Sequence, residues 1–323
     1  MIRNIFLILV VISAVKSNPP RLECRWKDES SVGQSYQPST NPTTTETAIV
    51  TLGGLLSDVR FLSTDSVEMF FPYRNRSVLS LPPLSKPNHG LPAVCVEGKL
   101  YVFTGEERDQ MFDFGTGKWT DLKPMPAKAA FSAAVHKDGQ IYVIGFNGSY
   151  GYDIAKKEWY SIGGNRFNSI YITAAIVDNI IFACDSDGNC RTFDTNTNKW
   201  LTLPSLPKTT KDARLVSHGL SVYAIGGTDE ELSLDYARRM QNFELGGQSW
   251  RLMEERLGLP FPRIKHALAS DESGRIFLTG GEGELSGVSD YVQSFDDFYG
   301  WRMQPSLLRP RKFHTSVACS IPV

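Results

Sequence analysis

No stretch of the chain approaches the ~20 consecutive apolar residues that a membrane-spanning helix needs. The longest unbroken apolar run is Ile5 to Ile12. An excess of charge of one sign is missing as well. Against 34 Lys and Arg stand 35 Asp and Glu, for a formal net charge of −1. That balance excludes both the broad basic field that attracts nucleic acid and the acidic excess of a solvating tail. Histidine is scarce and dispersed, at His89, His136, His218, His266 and His314. Zinc or copper needs three or four converging ligands, and no such set can be assembled, so neither metal nor cofactor is expected. There is no Gly-x-Ser-x-Gly elbow and no phosphate-cradling glycine loop. Amphipathic helical periodicity is weak throughout, which argues against a helical solenoid.

What is present begins with a leader. Arg3 precedes the apolar run, and Val15-Lys16-Ser17 fits a small-residue cleavage site before Asn18. Residues 1–17 therefore read as a signal peptide, and the protein is expected to be secreted and extracellular. Residues 18–47 are polar, with a Ser/Thr/Pro run at 39–47, and read as a flexible arm. An oxidising compartment favours cysteine pairing. Cys184 and Cys190 flank a tight Asp-Gly-Asn turn and are expected to form a disulfide. Cys24, Cys95 and Cys319 are left unassigned; Cys95 and Cys319 lie in strand-like runs, where a buried free thiol is the ordinary outcome. Asn75-Arg76-Ser77 and Asn147-Gly148-Ser149 are N-glycan acceptors, making the protein a candidate glycoprotein.

From residue 48 to 323 the chain repeats. Runs such as LYVFTG (100–105), IYVIGF (141–146), IIFACD (180–185), VYAIGG (222–227) and IFLTGG (276–281) read as strands, with glycine as the stop signal except where Cys184-Asp185 replaces it. Shorter Ala- and Val-rich runs precede most of them. After each comes an aromatic residue and an acid, then Trp: Phe112-Asp113 before Trp119, Tyr152-Asp153 before Trp159, Phe193-Asp194 before Trp200, Phe243-Glu244 before Trp250. Phe295-Asp296 before Trp301 is one residue shorter, and Phe71-Pro72 before Val78 is a degenerate copy. Four strands per 40–50 residues is the period of a propeller blade. The aromatic residue should end a third strand, the acid should accept turn amides, and Trp should face the aromatic from the fourth strand.

The Gly pairs Gly53-Gly54, Gly226-Gly227 and Gly280-Gly281, with these downstream aromatics and tryptophans, resemble the kelch family of β-propellers over residues 48–323. The resemblance implies an all-β, six-bladed propeller with four antiparallel strands per blade. It also implies that the last segment, 311–321, closes the first blade as its innermost strand.

Within kelch propellers the loops joining strands two and three, and strand four to the next blade, share one face. Here the second kind carries Lys128, Arg166, Arg214, Arg263, Lys265, Arg311 and Lys312. A basic ring at the channel mouth suits an anionic peptide or acidic glycan. The expected function is an extracellular protein- or glycan-binding scaffold with no nucleic-acid partner and no membrane span. The alternatives are a carbohydrate-active enzyme, oxidase or sugar isomerase, and a structural matrix component.

Overall fold

The computed structural model describes residues 34–40, 44–57, 62–74, 78–105, 108–163, 167–207, 212–228, 238–283 and 287–323. The expected signal peptide, Cys24 and most of the polar arm lie outside these residues. Blade 1 contains β1 (Thr45–Leu52), β2 (Val67–Phe70) and β3 (Leu79–Leu81). Blade 2 contains β4 (Ala93–Val96), β5 (Lys99–Val102), β6 (Asp109–Asp113) and β7 (Lys118–Leu122). Blade 3 contains β8 (Ala133–Lys137), β9 (Gln140–Gly145), β10 (Gly148–Asp153) and β11 (Glu158–Ser161). Blade 4 contains β12 (Thr173–Val177), β13 (Ile180–Cys184), β14 (Cys190–Asp194) and β15 (Lys199–Thr202). Blade 5 contains β16 (Arg214–His218), β17 (Ser221–Ile225), β18 (Met240–Glu244) and β19 (Arg251–Leu252). Blade 6 contains β20 (Ala267–Ser270), β21 (Ile276–Thr279), β24 (Val292–Asp296) and β25 (Gly300–Gln304), with a small hairpin, β22 (Glu282–Gly283) and β23 (Gly287–Val288), between its second and third strands. The last strand, β26 (Thr315–Pro322), returns to blade 1 and pairs antiparallel with β1 from Thr45↔Pro322 to Leu52↔Thr315. The sequence expectation of a six-bladed propeller closed by the C-terminal strand holds.

The innermost strands β26, β4, β8, β12, β16 and β20 each touch the next, closing a ring. Six strands converge there, so bulky side chains would collide. The sequence supplies Ala93, Ala133, Ala134, Ala174, Ala175, Ala267, Ala269 and Ala318 along this lining.

The aromatic–Trp figure is a staple between blades. Phe112 faces Trp119, Tyr152 faces Trp159, Phe193 faces Trp200 and Phe295 faces Trp301 across antiparallel pairs. With Phe243–Trp250 included, ring centroids lie 4.9 to 5.4 Å apart. Each indole Nε1–H donates to a carbonyl of the preceding blade: Trp119 to Pro82, Trp159 to Lys123, Trp200 to Ile162, Trp250 to Pro204, Trp301 to Leu257, all at 2.9–3.1 Å. One side chain thus fills the space between two sheets and satisfies a backbone acceptor that the neighbour would otherwise leave open. The acids act as expected. Asp113 accepts the amides of Gly115 and Thr116, Asp194 those of Asn196 and Thr197, and Asp296 those of Phe298 and Tyr299.

Blade 1 needs a correction of one residue. Val67 pairs Leu81 and Met69 pairs Leu79, so the same register sets Phe70, not Phe71, opposite Val78. Phe70 is fully buried, whereas Phe71 is only partly so. With Val78 in place of Trp, the seam from blade 6 to blade 1 has no indole staple among the described residues. A buried ion pair stands there instead. Arg311 Nη2 donates to Glu68 Oε1 and to Ser66 Oγ, and Arg311 Nη1 donates to the Gly53 carbonyl at 2.9 Å. Glu68 Oε2 accepts the Leu308 amide at 2.7 Å.

Two disulfides are present. Cys184–Cys190 closes the β13–β14 hairpin, as expected. Cys95 and Cys319, left unassigned from sequence, are bridged across adjacent innermost strands, with Cα atoms 5.3 Å apart and a sequence separation of 224. The reason is topological, since ring closure sets the end of β26 beside β4. Part of the polar arm also docks. Ser35 bridges Ser80 of β3 in parallel, and the Tyr36 hydroxyl donates to the Phe114 carbonyl at 2.8 Å.

Candidate binding face

With the exception of β12, each innermost strand is entered through one residue with a left-handed backbone. These are Gly90, Phe131, Asp212, Lys265 and Phe313, with φ between +51° and +64°. Four of them are chained by backbone hydrogen bonds around the mouth. Phe313 N donates to Lys265 O, Gly90 N to Phe313 O, Phe131 N to Gly90 O, and Ile172 N to Phe131 O, at 2.7–2.9 Å. Glycine suits such a backbone, while a bulky aromatic residue there stores about 1–3 kcal/mol of strain. Two of the five positions are nevertheless phenylalanine.

The rings of those residues converge. Phe131 lies 4.5 Å from Tyr171 and 5.7 Å from Phe313, and Tyr171 stacks on Phe313 at 5.7 Å. His89 meets Phe131 edge-on. Tyr171 enters blade 4 and Phe313 enters blade 1, so the rings reach across the mouth from opposite sides. All four are partly exposed. Lys265 Nζ sits 5.5 Å over the Phe313 ring and donates to Glu282 Oε2 at 3.0 Å, which also accepts Lys312 Nζ at 2.9 Å. One carboxylate therefore serves two ammonium groups. The aromatic members were not singled out from sequence, although Phe131, Tyr171 and Phe313 each lie just ahead of an Ala- or Val-bearing run. Their convergence depends on the left-handed entry geometry.

The basic residues expected at this mouth do not form one ring. Lys128 is exposed, and Lys265 belongs to the aromatic platform. Arg214 is partly buried and lines the central channel, and burial pulls its guanidinium down from the ordinary value against the opposing effects of Asp212 and Tyr171. Arg263 and Arg311 are 2% and 0% exposed, so they brace backbone and seam rather than line the surface. Arg263 Nη1 donates to the Pro262 carbonyl at 3.1 Å. Arg166 lies outside the described residues, as does Asn75. Asn147 is exposed in the β9–β10 turn.

His266 and His314 are buried beneath Gly pairs. Burial, followed by the fields of Arg214 and Arg263, lowers His266 to about 3. His314 is pushed well below its ordinary value by burial, then by Arg311. Its Nε2 pairs with the Thr279 hydroxyl at 2.8 Å. In the Cys184–Cys190 hairpin, Asp185 accepts the amides of Asn168, Asp187 and Asn189, all at 3.0 Å. It works as a loop cap.

Below the mouth the channel encloses about 550 Å3. No helix among the described residues is long and apolar enough to cross a membrane.

No family model matches the chain. It is 28% identical over 233 residues, 62% of its length, to Kelch-like protein terF of Aspergillus terreus, and the match covers 49% of that protein. It is 23% identical over 256 residues, 70% of its length, to Kelch-like protein 40 of Xenopus laevis, of which 41% is covered. The chain thus spans less than half the length of either relative. Together with six four-stranded blades, the Gly pairs and the aromatic–Trp staples, these similarities support a kelch-repeat β-propeller.

Proposed function

We propose that the chain is an extracellular binding scaffold whose entry face takes a protein segment carrying acidic and apolar side chains. Kelch propellers are commonly protein-interaction scaffolds, and this fold supplies a rigid ring with side chains gathered at one mouth. The observation that carries the reading is the platform of Phe131, Tyr171 and Phe313, built partly on strained backbone and edged by Lys265. Strain held at a surface position points to use there rather than to stability. Partly exposed aromatic rings offer contact area at low entropic cost. Lys265, with its ammonium group over the Phe313 ring, sets a cation at the edge of the platform where an acidic side chain of the partner can pair with it.

Affinity capture from extracellular fluid tests this, comparing the wild type with Phe131→Gly, Phe313→Gly and Lys265→Glu. Glycine accepts the left-handed backbone, so the first two variants remove the rings while relieving strain. A protein captured by the wild type and lost by the folded variants supports the reading. Retention by all three refutes it. Capture of an acidic glycan in place of a protein moves the partner class. Sugar turnover without capture favours the enzyme alternative.

A further inference from the structure

The second disulfide lies where a reagent can reach it. Cys95 ends near the far mouth of the channel, is partly exposed, and lines both the main cavity and a second one of about 300 Å3 that opens beyond it. Cys319 lines the second cavity but is 1% exposed. Cys184 and Cys190 are 0% and 2% exposed and belong to the core between blades 4 and 5. The titratable groups around the second cavity are Glu97, Glu272 and His136. Both glutamates are exposed, and burial lowers His136, leaving it uncharged near neutral pH. The approach to the Cys95 sulfur is therefore acidic.

We propose that the Cys95–Cys319 bridge is a site of thiol–disulfide exchange, reached through the far end of the channel by small neutral or cationic thiols, and that it latches the ring. The thiolate of the small molecule attacks Cys95 Sγ, the exposed sulfur. The Cys95–Cys319 bond breaks, Cys319 leaves as a thiolate and takes up a proton, and Cys95 carries the mixed disulfide. A second small thiolate attacks the small-molecule sulfur of that mixed disulfide, which frees Cys95 and completes one oxidised small-molecule disulfide, so two thiols are oxidised as one protein disulfide is reduced. Opening does not remove β26, because its eight-residue pairing with β1 remains. It frees the link between the closing strand and blade 2, the one covalent tie across that seam among the described residues. This inference is independent of the binding reading, since it concerns the opposite end of the channel.

The test treats the folded full chain with cysteamine, 2-mercaptoethanol or 3-mercaptopropionate at low salt, quenches by alkylation and maps the cysteines by mass spectrometry. Cys95–Cys319 is expected to open first, with the adduct on Cys95 and the alkylated thiol on Cys319. After correction for thiol pKa and nucleophilicity, the cationic thiol should react about tenfold faster than the anionic one, a gap that narrows with salt. The melting temperature should fall on opening and recover on reoxidation. A Cys184→Ser/Cys190→Ser variant should show the same charge order. Opening of Cys184–Cys190 first or at the same rate, adducts on Cys319, or rates indifferent to thiol charge at low salt would overturn the proposal. So would an unchanged melting temperature in the opened protein.

Discussion

Arg311 and Arg263 occupy the same position in neighbouring blades, each three residues before a buried histidine, yet replacing each by Met should cost different amounts. Arg311 neutralises Glu68, which is 2% exposed and pairs with no other cation among the described residues. Removing the guanidinium strands a buried carboxylate, which costs about 3–5 kcal/mol. The residue matching Glu68 in blade 6 is Gln293, because Val67 faces Leu52 and Val292 faces Thr279 in equivalent registers. Its amide is neutral, so Arg263→Met strands no charge and removes packing and one hydrogen bond to Pro262 O, about 1–2 kcal/mol. The predicted gap is about 1–4 kcal/mol, read from urea denaturation midpoints at matched slopes. The double variant Glu68→Leu/Arg311→Met should recover most of the Arg311→Met loss, since an apolar replacement for a buried pair is often neutral. Equal losses for the two single variants, or no recovery in the double, would refute the reasoning. Arg311→Met should leave capture at the entry face intact once folding is allowed for.

Completing the second seam should help: Gln293→Glu gives the buried Arg263 an anionic partner and is expected to raise the denaturation midpoint, whereas Gln241→Glu, in blade 5, is not. Acid should destabilise the propeller. His266 and His314 have folded pKa values below the unfolded ~6.5, so the unfolded chain takes up protons first as pH falls. Stability is fully present above ~6.5 and declines towards the folded value of about 3 for His266, by roughly 1.4 kcal/mol per pH unit per histidine. Urea midpoints at pH 7.5, 6 and 5 check this, and a flat profile contradicts it. Deleting residues 311–323 removes β26 and exposes the edge of β1, so the truncated chain should unfold or associate. Unchanged melting would overturn the closure.

The repeat was legible because every blade solves the same problem locally. A third-strand aromatic, a turn acid and a fourth-strand Trp lie within eight residues of one another, so their spacing survives in the sequence. The one-residue error at Phe70 arose because Phe70-Phe71 offers two aromatics where the absent Trp could not fix the register. What failed to show was long-range. Cys95–Cys319 joins residues brought together only by ring closure. The mouth platform gathers residues from three blades, two of them on left-handed entries. Arg263 and Arg311 look like surface charge in a loop, and only the buried Gly53 carbonyl and the Glu68 carboxylate show why one of them points inward.

Hydrogen exchange of the propeller alone and with its captured protein partner tests the central claim most directly. The account predicts added protection at residues 128–132, 171–172, 263–266 and 311–314, the entry segments around the mouth. Protection confined to the opposite turns, at 114–117, 154–157, 195–198 and 297–300, with none at the mouth, would contradict it.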